Sequence, residues 1–401
     1  PILEVRDEAG TAVTTLTGAD AVQDAMAYVL TSRAPDSRPW SVVAGAGTYG
    51  DFTVKTPNVS VSADAGAVVT ISGAGVADDT GGGCADISRG GVSITGLACS
   101  APRRTGFNAT LANADSGPTL ASVSVDRAGV DGISITGGKG FTLTGPTITS
   151  PARDGIRLTG VTARTGSTIT GGTVSGAGRD GLRLADDVRA VKASGVTVTG
   201  SKGYGIASED VGNIDAAFSG VTVTGNGKDG VLFTGGTLRP SLVSSTVTGN
   251  TGAGVRLGDA TGVRISDIPV DGSNAGGDLV FDADIRGGGS YDALRTPDGA
   301  FALVGEPNSV RISGVPAARA SLVAGAPSGQ SRAGAPLLIG ATARNATRRV
   351  VLRMPAGRTE YRKAGAAWTP VKSSKRVRGA LVATIGPSLL GTASTAYAPF
   401  G

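Results

Sequence analysis

Apolar residues in the middle of the chain recur in short alternating runs, not at helical spacing. A turn ending in glycine leads into a short strand at Gly132-Ile-Ser-Ile, Gly155-Ile-Arg-Leu, Gly181-Leu-Arg-Leu, Gly205-Ile-Ala-Ser, Gly230-Val-Leu-Phe and Gly254-Val-Arg-Leu. These glycines are 23, 26, 24, 25 and 24 residues apart. From the second coil on, a Thr-apolar-Thr/Ser strand precedes each turn, opening at Thr147, Thr173, Thr197, Thr222 and Thr246. A third apolar position is expected to close each rung at Leu143, Ile169, Ala193, Phe218, Val243 and Ile265. Three short strands per two dozen residues suit one coil of a parallel β-helix. Alternation turns Ile133, Ile135, Val223 and Val231 inward and their neighbours outward. One coil cannot bury its apolar face alone, so coils must stack about 4.8 Å apart. The repeated glycines are expected at tight corners, supplying backbone angles other residues reach only with strain.

The flanks extend this pattern. Residues 20–32, opening Asp20-Ala-Val-Gln23, carry a helix N-terminal capping signature, and that helix is placed to plug the open end of the stack. Strands are expected at Trp40–Ala44, Phe52–Val54, Val59–Val61 and Val68–Ile71. A less regular coil with a long loop is expected from Cys84 to about Leu120, and the repeat fades beyond Asp278. Residues 323–336, rich in Gly, Pro, Ser and Ala, read as a linker. The fold class expected is all-β: a single right-handed parallel β-helix with an N-terminal capping helix over residues 1–295. A transition and linker follow over 296–340, then a small antiparallel, sandwich-like module over 341–401.

Composition narrows the chemistry. The chain has 65 glycines, 4% aromatic residues and no histidine, which excludes Ser-His-Asp, Cys-His and histidine-base mechanisms. Two cysteines without histidine do not make a structural zinc site. No apolar run approaches the roughly 18 residues a membrane-spanning helix needs. A chain opening at Pro1 reads as exported after loss of a leader, or as a fragment, and an extracellular or cell-surface location is expected. In that setting Cys84 and Cys99 are expected to form a disulfide between neighbouring coils. Residues 341–401 hold 11 Lys or Arg against Glu360 alone, whereas the remainder holds 26 basic and 31 acidic residues. A basic tail on a mildly acidic body points to an anionic glycan or cell-surface polymer, or to a solvated charged face. No nucleic-acid motif accompanies the charge.

The block from Ala21 to Tyr49, a helix followed by Gly47-Thr48-Tyr49, resembles the opening of the pectate-lyase-like superfamily. The Thr-Val-Thr-Gly-Asn and Asp-Gly-Val coils resemble its right-handed β-helix repeats, over roughly residues 20–285. The resemblance implies a fold shared by lyases, hydrolases, epimerases, tailspikes, adhesins and inert coils, so it does not choose an activity. The densest charged cluster is Arg153-Asp154-Gly155-Ile-Arg157 beside Arg179-Asp180-Gly181-Leu-Arg183, with Asp186 and Asp187 just beyond. Arg157 and Arg183 are expected to stand outward on adjacent coils, about 5 Å apart. A uronate between them would relieve their repulsion, since a guanidinium matches a carboxylate as a fork. By the resemblance, Arg157 or Arg183 would act as the base of a β-elimination; Arg153, Arg179 and Tyr204 are the expected substrate contacts. Asp154, Asp180, Asp186 or Asp187 would then hold Ca²⁺. Asp-Gly is also a common turn dipeptide, repeated at Asp131 and Asp229, and Arg is an ordinary solvated residue.

Two further features stay open. Thr147, Thr173, Thr197, Thr222 and Thr246 form one outward column, and Thr149, Ser175, Thr199, Thr224 and Thr248 another. Such an array resembles the ice-binding face of some β-helical antifreeze proteins, although Thr also simply suits an exposed strand. Tyr204 replaces the Asp of other turns, as a sugar platform or a packing residue. The leading expectation is a secreted protein that binds an acidic polysaccharide and cleaves it if it is an enzyme. The alternative is a non-catalytic adhesion or tailspike-like spacer, with ice binding third.

Overall fold

The computed structural model describes residues 1–281 except 33–38, 74–82, 163–165, 270–272 and 277, and beyond 281 the backbone of separate strands. The chain divides into two compact units, Pro1–Ala207 and Ser208–Gly401.

In the first unit, three parallel sheets stack coil upon coil. Sheet I runs from Trp40–Ala44 through Val59–Ala63, Ser93–Thr95, Thr119–Ala121, Phe141–Thr144 and Ser167–Thr170 to Val191–Ser194. Sheet II begins at Gly47–Gly50 and includes Leu97–Ser100, Thr147–Thr149, Thr173–Ser175 and Thr197–Thr199. Sheet III joins Phe52–Val54, Ala85–Ile87, Phe107–Thr110, Ile133–Thr136, Ile156–Thr159 and Leu182–Leu184. Ile135, Leu143, Ile148, Leu158, Ile169 and Val174 fill the interior and are fully buried. Each takes the inward half of a period-2 strand, as the sequence pattern requires.

The capping helix, α1, spans Ala21–Ser32 and buries Ala21, Val22, Ala25, Met26 and Val29. The Gln23 side-chain oxygen accepts the Thr53 N–H at 2.8 Å. In a capping box that glutamine would serve its own helix; here it satisfies the first strand of sheet III. An antiparallel hairpin, Ile2–Arg6 with Ala12–Thr17, extends sheet I at the same end. The segment from Cys84 to Leu120 is more regular than its sequence suggests. It holds strands in all three sheets, but its inward positions include the small Cys99 and Ala109, which weaken the alternation. Cys84 and Cys99 are joined, with an S–S distance of 1.98 Å and Cα atoms 5.8 Å apart.

The glycines do two different jobs. Gly145, Gly171, Gly176, Gly195 and Gly200 turn the corners on either side of sheet II, with φ between 58° and 65°. The repeated glycines that open sheet III, Gly132, Gly155 and Gly181, are not among the left-handed residues. A Cβ on Gly155 would lie 2.2 Å from Val174 Cγ1 and 2.5 Å from the Gly181 carbonyl oxygen. Close approach excludes a side chain there, not the backbone angle expected from sequence.

The second unit builds the same three-sheet coil. Thr222–Thr224 pairs with Thr246–Thr248, and Val231–Phe233 with Val255–Leu257. In the remaining sheet, Phe218 sits opposite Leu242, and Leu242 opposite Ile265. Leu242, not Val243, is therefore the buried rung. Two adjacent apolar residues leave the register ambiguous in sequence, and the cross-coil pairing resolves it. Parallel pairing continues to Arg349–Pro355 and Leu337–Gly340, beyond where the repeat fades. Antiparallel strands then join at Thr359–Ala364, Ala380–Ile385 and Thr395–Phe400. The linker expected over 323–336 lies outside the described residues.

Candidate functional site

Three successive turns from sheet II to sheet III in the first unit carry an aspartate whose side chain is folded into the stack. Asp131, Asp154 and Asp180 are all buried, Asp154 completely. Asp131 Oδ1 accepts the Asp154 N–H at 3.0 Å, and Asp154 Oδ1 accepts the Asp180 N–H at 3.2 Å. Asp180 Oδ1 in turn accepts the Tyr204 N–H at 2.9 Å. Each carboxylate thus takes an otherwise orphaned backbone donor from the next coil, which is why Asp recurs at that point of the turn.

Arginines cover this ladder. Arg179 grips Asp154 as a fork, with Nε 2.7 Å from Oδ1 and Nη2 on Oδ2. Arg183 Nη1 donates to Asp180 Oδ2 at 3.1 Å, Arg157 Nη1 lies 3.7 Å from Asp154 Oδ2, and Arg153 Nε lies 3.8 Å from Asp131 Oδ1. Arg157 and Arg183 are direct partners in sheet III, both on its outward face. Buried Asp alternates with outward Arg, which answers how two arginines tolerate adjacent coils.

Burial pushes the Asp131 and Asp180 carboxyls above their ordinary 3.8, while the Asp154 carboxylate raises the Arg179 guanidinium. The folded chain therefore holds protons on Asp131 and Asp180 more tightly than the unfolded chain does. Their contribution to stability is fullest below pH 3.8 and is lost as pH rises through the folded values. Thermal melts between pH 7 and pH 4 are expected to show a smaller acid-side gain, or a larger loss, in Asp131→Asn than in the parent. An unchanged pH profile in that variant would refute this.

The expected calcium ligands do not converge. Ca²⁺ needs six to eight oxygens. The Asp154 and Asp180 oxygens are engaged by backbone N–H groups and arginines. Asp186 is exposed, and Asp187 pairs instead with Arg189 Nε at 2.6 Å. Among the described residues no group of three His, Cys, Asp or Glu is placed to hold a metal. These residues do not fit Ca²⁺. Tyr204 is half-buried at the end of the ladder.

The outward column of sheet III extends further than the arginines. Arg183, Arg157, Ser134, Asn108, Asp86 and Thr53 stand in register on six successive coils. Asp86, Asn108, Arg104 and Thr105 line a cavity of about 340 Å³. Sequence reading missed this end, although Gly106-Phe-Asn108 repeats the Gly-apolar-polar order of Gly155-Ile-Arg157 one coil earlier than the series began. On sheet II, Thr147, Thr173 and Thr197 form one in-register column and Thr149, Ser175 and Thr199 another. The second unit pairs Thr222 with Thr246 and Thr224 with Thr248.

Residues 105–268 match a family model described as a right handed beta helix region. No curated protein matches the chain in sequence. Among solved structures, the A-module of the mannuronan C-5 epimerase AlgE4 of Azotobacter vinelandii is 14% identical. That match covers 74% of this chain and 88% of the module, with a TM-score of 0.52. The AlgE6 A-module of the same organism covers 74% and 89%, at 13% identity and a TM-score of 0.47. The receptor-binding tailspike of bacteriophage Det7 covers 78% and 77%, at 13% identity and a TM-score of 0.35. At such identities likeness speaks to fold alone. No described helix is long and apolar enough to cross a membrane. The stacked parallel sheets, with the match over residues 105–268, show a right-handed parallel β-helix fold.

Proposed function

We propose that the first unit binds an acidic polysaccharide along the outward column of sheet III, with Arg157 and Arg183 receiving uronate carboxylates. The observation that carries this reading is the in-register Arg157–Arg183 pair, flanked by Arg153 and Arg179 and held from beneath by buried carboxylates. Arginines anchored this way are pre-organised donors, which lowers the entropy lost on binding. An extended pyranose chain advances about 5 Å per sugar, close to the coil spacing, so successive sugars meet successive coils. The same fold serves, in the AlgE4 A-module, an enzyme named for a polyuronate.

Binding fits the arginines better than proton abstraction. Each faces a buried carboxylate 3.1 or 3.7 Å away, a setting that serves a fixed cation rather than a group that must surrender a proton. By calorimetry, Arg157→Ala should weaken polygalacturonate binding by about 10- to 100-fold, the value of a charged hydrogen bond. Arg183 is only 14% exposed on Asp180, so its removal would leave that buried carboxylate with the Tyr204 N–H and the more distant Arg179 alone. Arg183→Lys is the cleaner change there, keeping the charge while losing the fork. Affinity unchanged in both variants would overturn the site and leave the stiff-spacer reading.

A further inference from the structure

The sheet III column changes character along its length. Two arginines occupy one end, Ser134 the middle, and Asn108 with Asp86 the other end, all in register. Asp86 lies three coils from Arg157, about 14 Å at the usual coil spacing. Beside it lies the cavity of about 340 Å³, toward the small end of ligand pockets and of a size for one sugar ring. Asn108 Nδ2 donates to Asp86 Oδ1 at 2.9 Å, which orients the carboxylate, and that bond does not engage Oδ2. Arg104 and Thr105 complete the polar lining.

Among the described residues the lining holds one carboxylate, one guanidinium, one amide and a threonine. A neutral sugar presents hydroxyls that both donate and accept, and it matches such a mixed set. A uronate in the same place would set its carboxylate against Asp86, a like-charge contact. On the reading that this column binds a polysaccharide, we infer that the Asp86–Asn108–Arg104 cavity seats a neutral pyranose. The ligand is then a heteropolysaccharide in which a neutral sugar stands three or four residues from a uronate held at Arg157 and Arg183. A polymer of uronate alone is discriminated against by Asp86.

Calorimetry on the full chain with three tetrasaccharides tests this. One carries a single uronate, at either end, and three neutral hexoses; the others are tetragalacturonate and cellotetraose. The mixed tetrasaccharide is expected to bind at least about tenfold more tightly than tetragalacturonate. Asp86→Asn should shrink that ratio, weakening the mixed ligand and strengthening the uronate one, at an unchanged melting temperature. Tetragalacturonate binding as tightly as the mixed ligand to the parent chain would overturn the neutral-sugar pocket while leaving the polyanion reading intact. A preference that survives both Asp86→Asn and Asn108→Ala would overturn its assignment to this cavity. Binding of cellotetraose alone, or of none of the three, would remove the underlying polysaccharide reading itself.

Discussion

Replacing Asp154 with alanine is expected to destabilise the first unit by about 3 kcal/mol, the lower end for breaking a buried ion pair. Asp154 is fully buried, and one side chain serves the Asp180 N–H, the Arg179 fork and the more distant Arg157. Removing it strands a buried backbone donor and leaves Arg179 without its carboxylate. Arg179 is 37% exposed, so water recovers part of its loss, which places the cost at the low end. Asp154→Asn keeps an acceptor for the Asp180 N–H and should lose less. Asp187→Ala removes a surface pair with Arg189 and places alanine at a φ of 52°, so it should cost only about 1 kcal/mol. Denaturant titrations that rank Asp154→Ala no worse than Asp187→Ala would show that the ladder is not structural.

The glycines should separate into two classes under substitution. Gly155→Ala puts a methyl group against the Val174 side chain and the Gly181 carbonyl, inside the stack. Overpacking of this kind costs about 1–3 kcal/mol. Gly145 has φ of 58°, and a methyl group there would meet nothing within 4 Å, so Gly145→Ala costs only the left-handed backbone, roughly 1 kcal/mol. Asparagine distinguishes the two causes. It tolerates the left-handed region and should recover stability at position 145, but it is bulkier than alanine and should be worse at position 155. Equal responses of the two sites to Ala and Asn, read from melting temperatures, would show that one cause governs both.

Both expectations come from the turns, and the turns are where sequence and structure part. Asp154 and Asp180 stand out in sequence as acidic residues beside arginines, which suits either a metal site or a turn. The choice depends on where the carboxylate oxygens point, and they point at N–H groups of the next coil, 26 and 24 residues further along the chain. No local pattern encodes a partner that distant. For the same reason the outward placement of Arg157 and Arg183 was legible from alternation, whereas their anchoring to buried carboxylates was not. Arg183 is consequently more deeply set than a solvated sheet residue, and the small stability effect expected of such a residue does not extend to it.

The sequence by itself determined the coil. Glycine spacing, Thr-Val-Thr strands and the inward apolar columns specify three short parallel strands per turn, because period-2 alternation leaves one way to bury each strand. It also marked the capping helix, whose apolar face recurs at helical spacing. Register and neighbourhood were left to the tertiary structure. Leu242 rather than Val243 faces the core because Phe218 and Ile265 lie above and below it. Gly155 is glycine because Val174 and the next coil press on it. Asp86 and Asn108 meet at 2.9 Å although 22 residues separate them. Stacking brings such residues together, and a stack exists only once successive coils have formed and found their register.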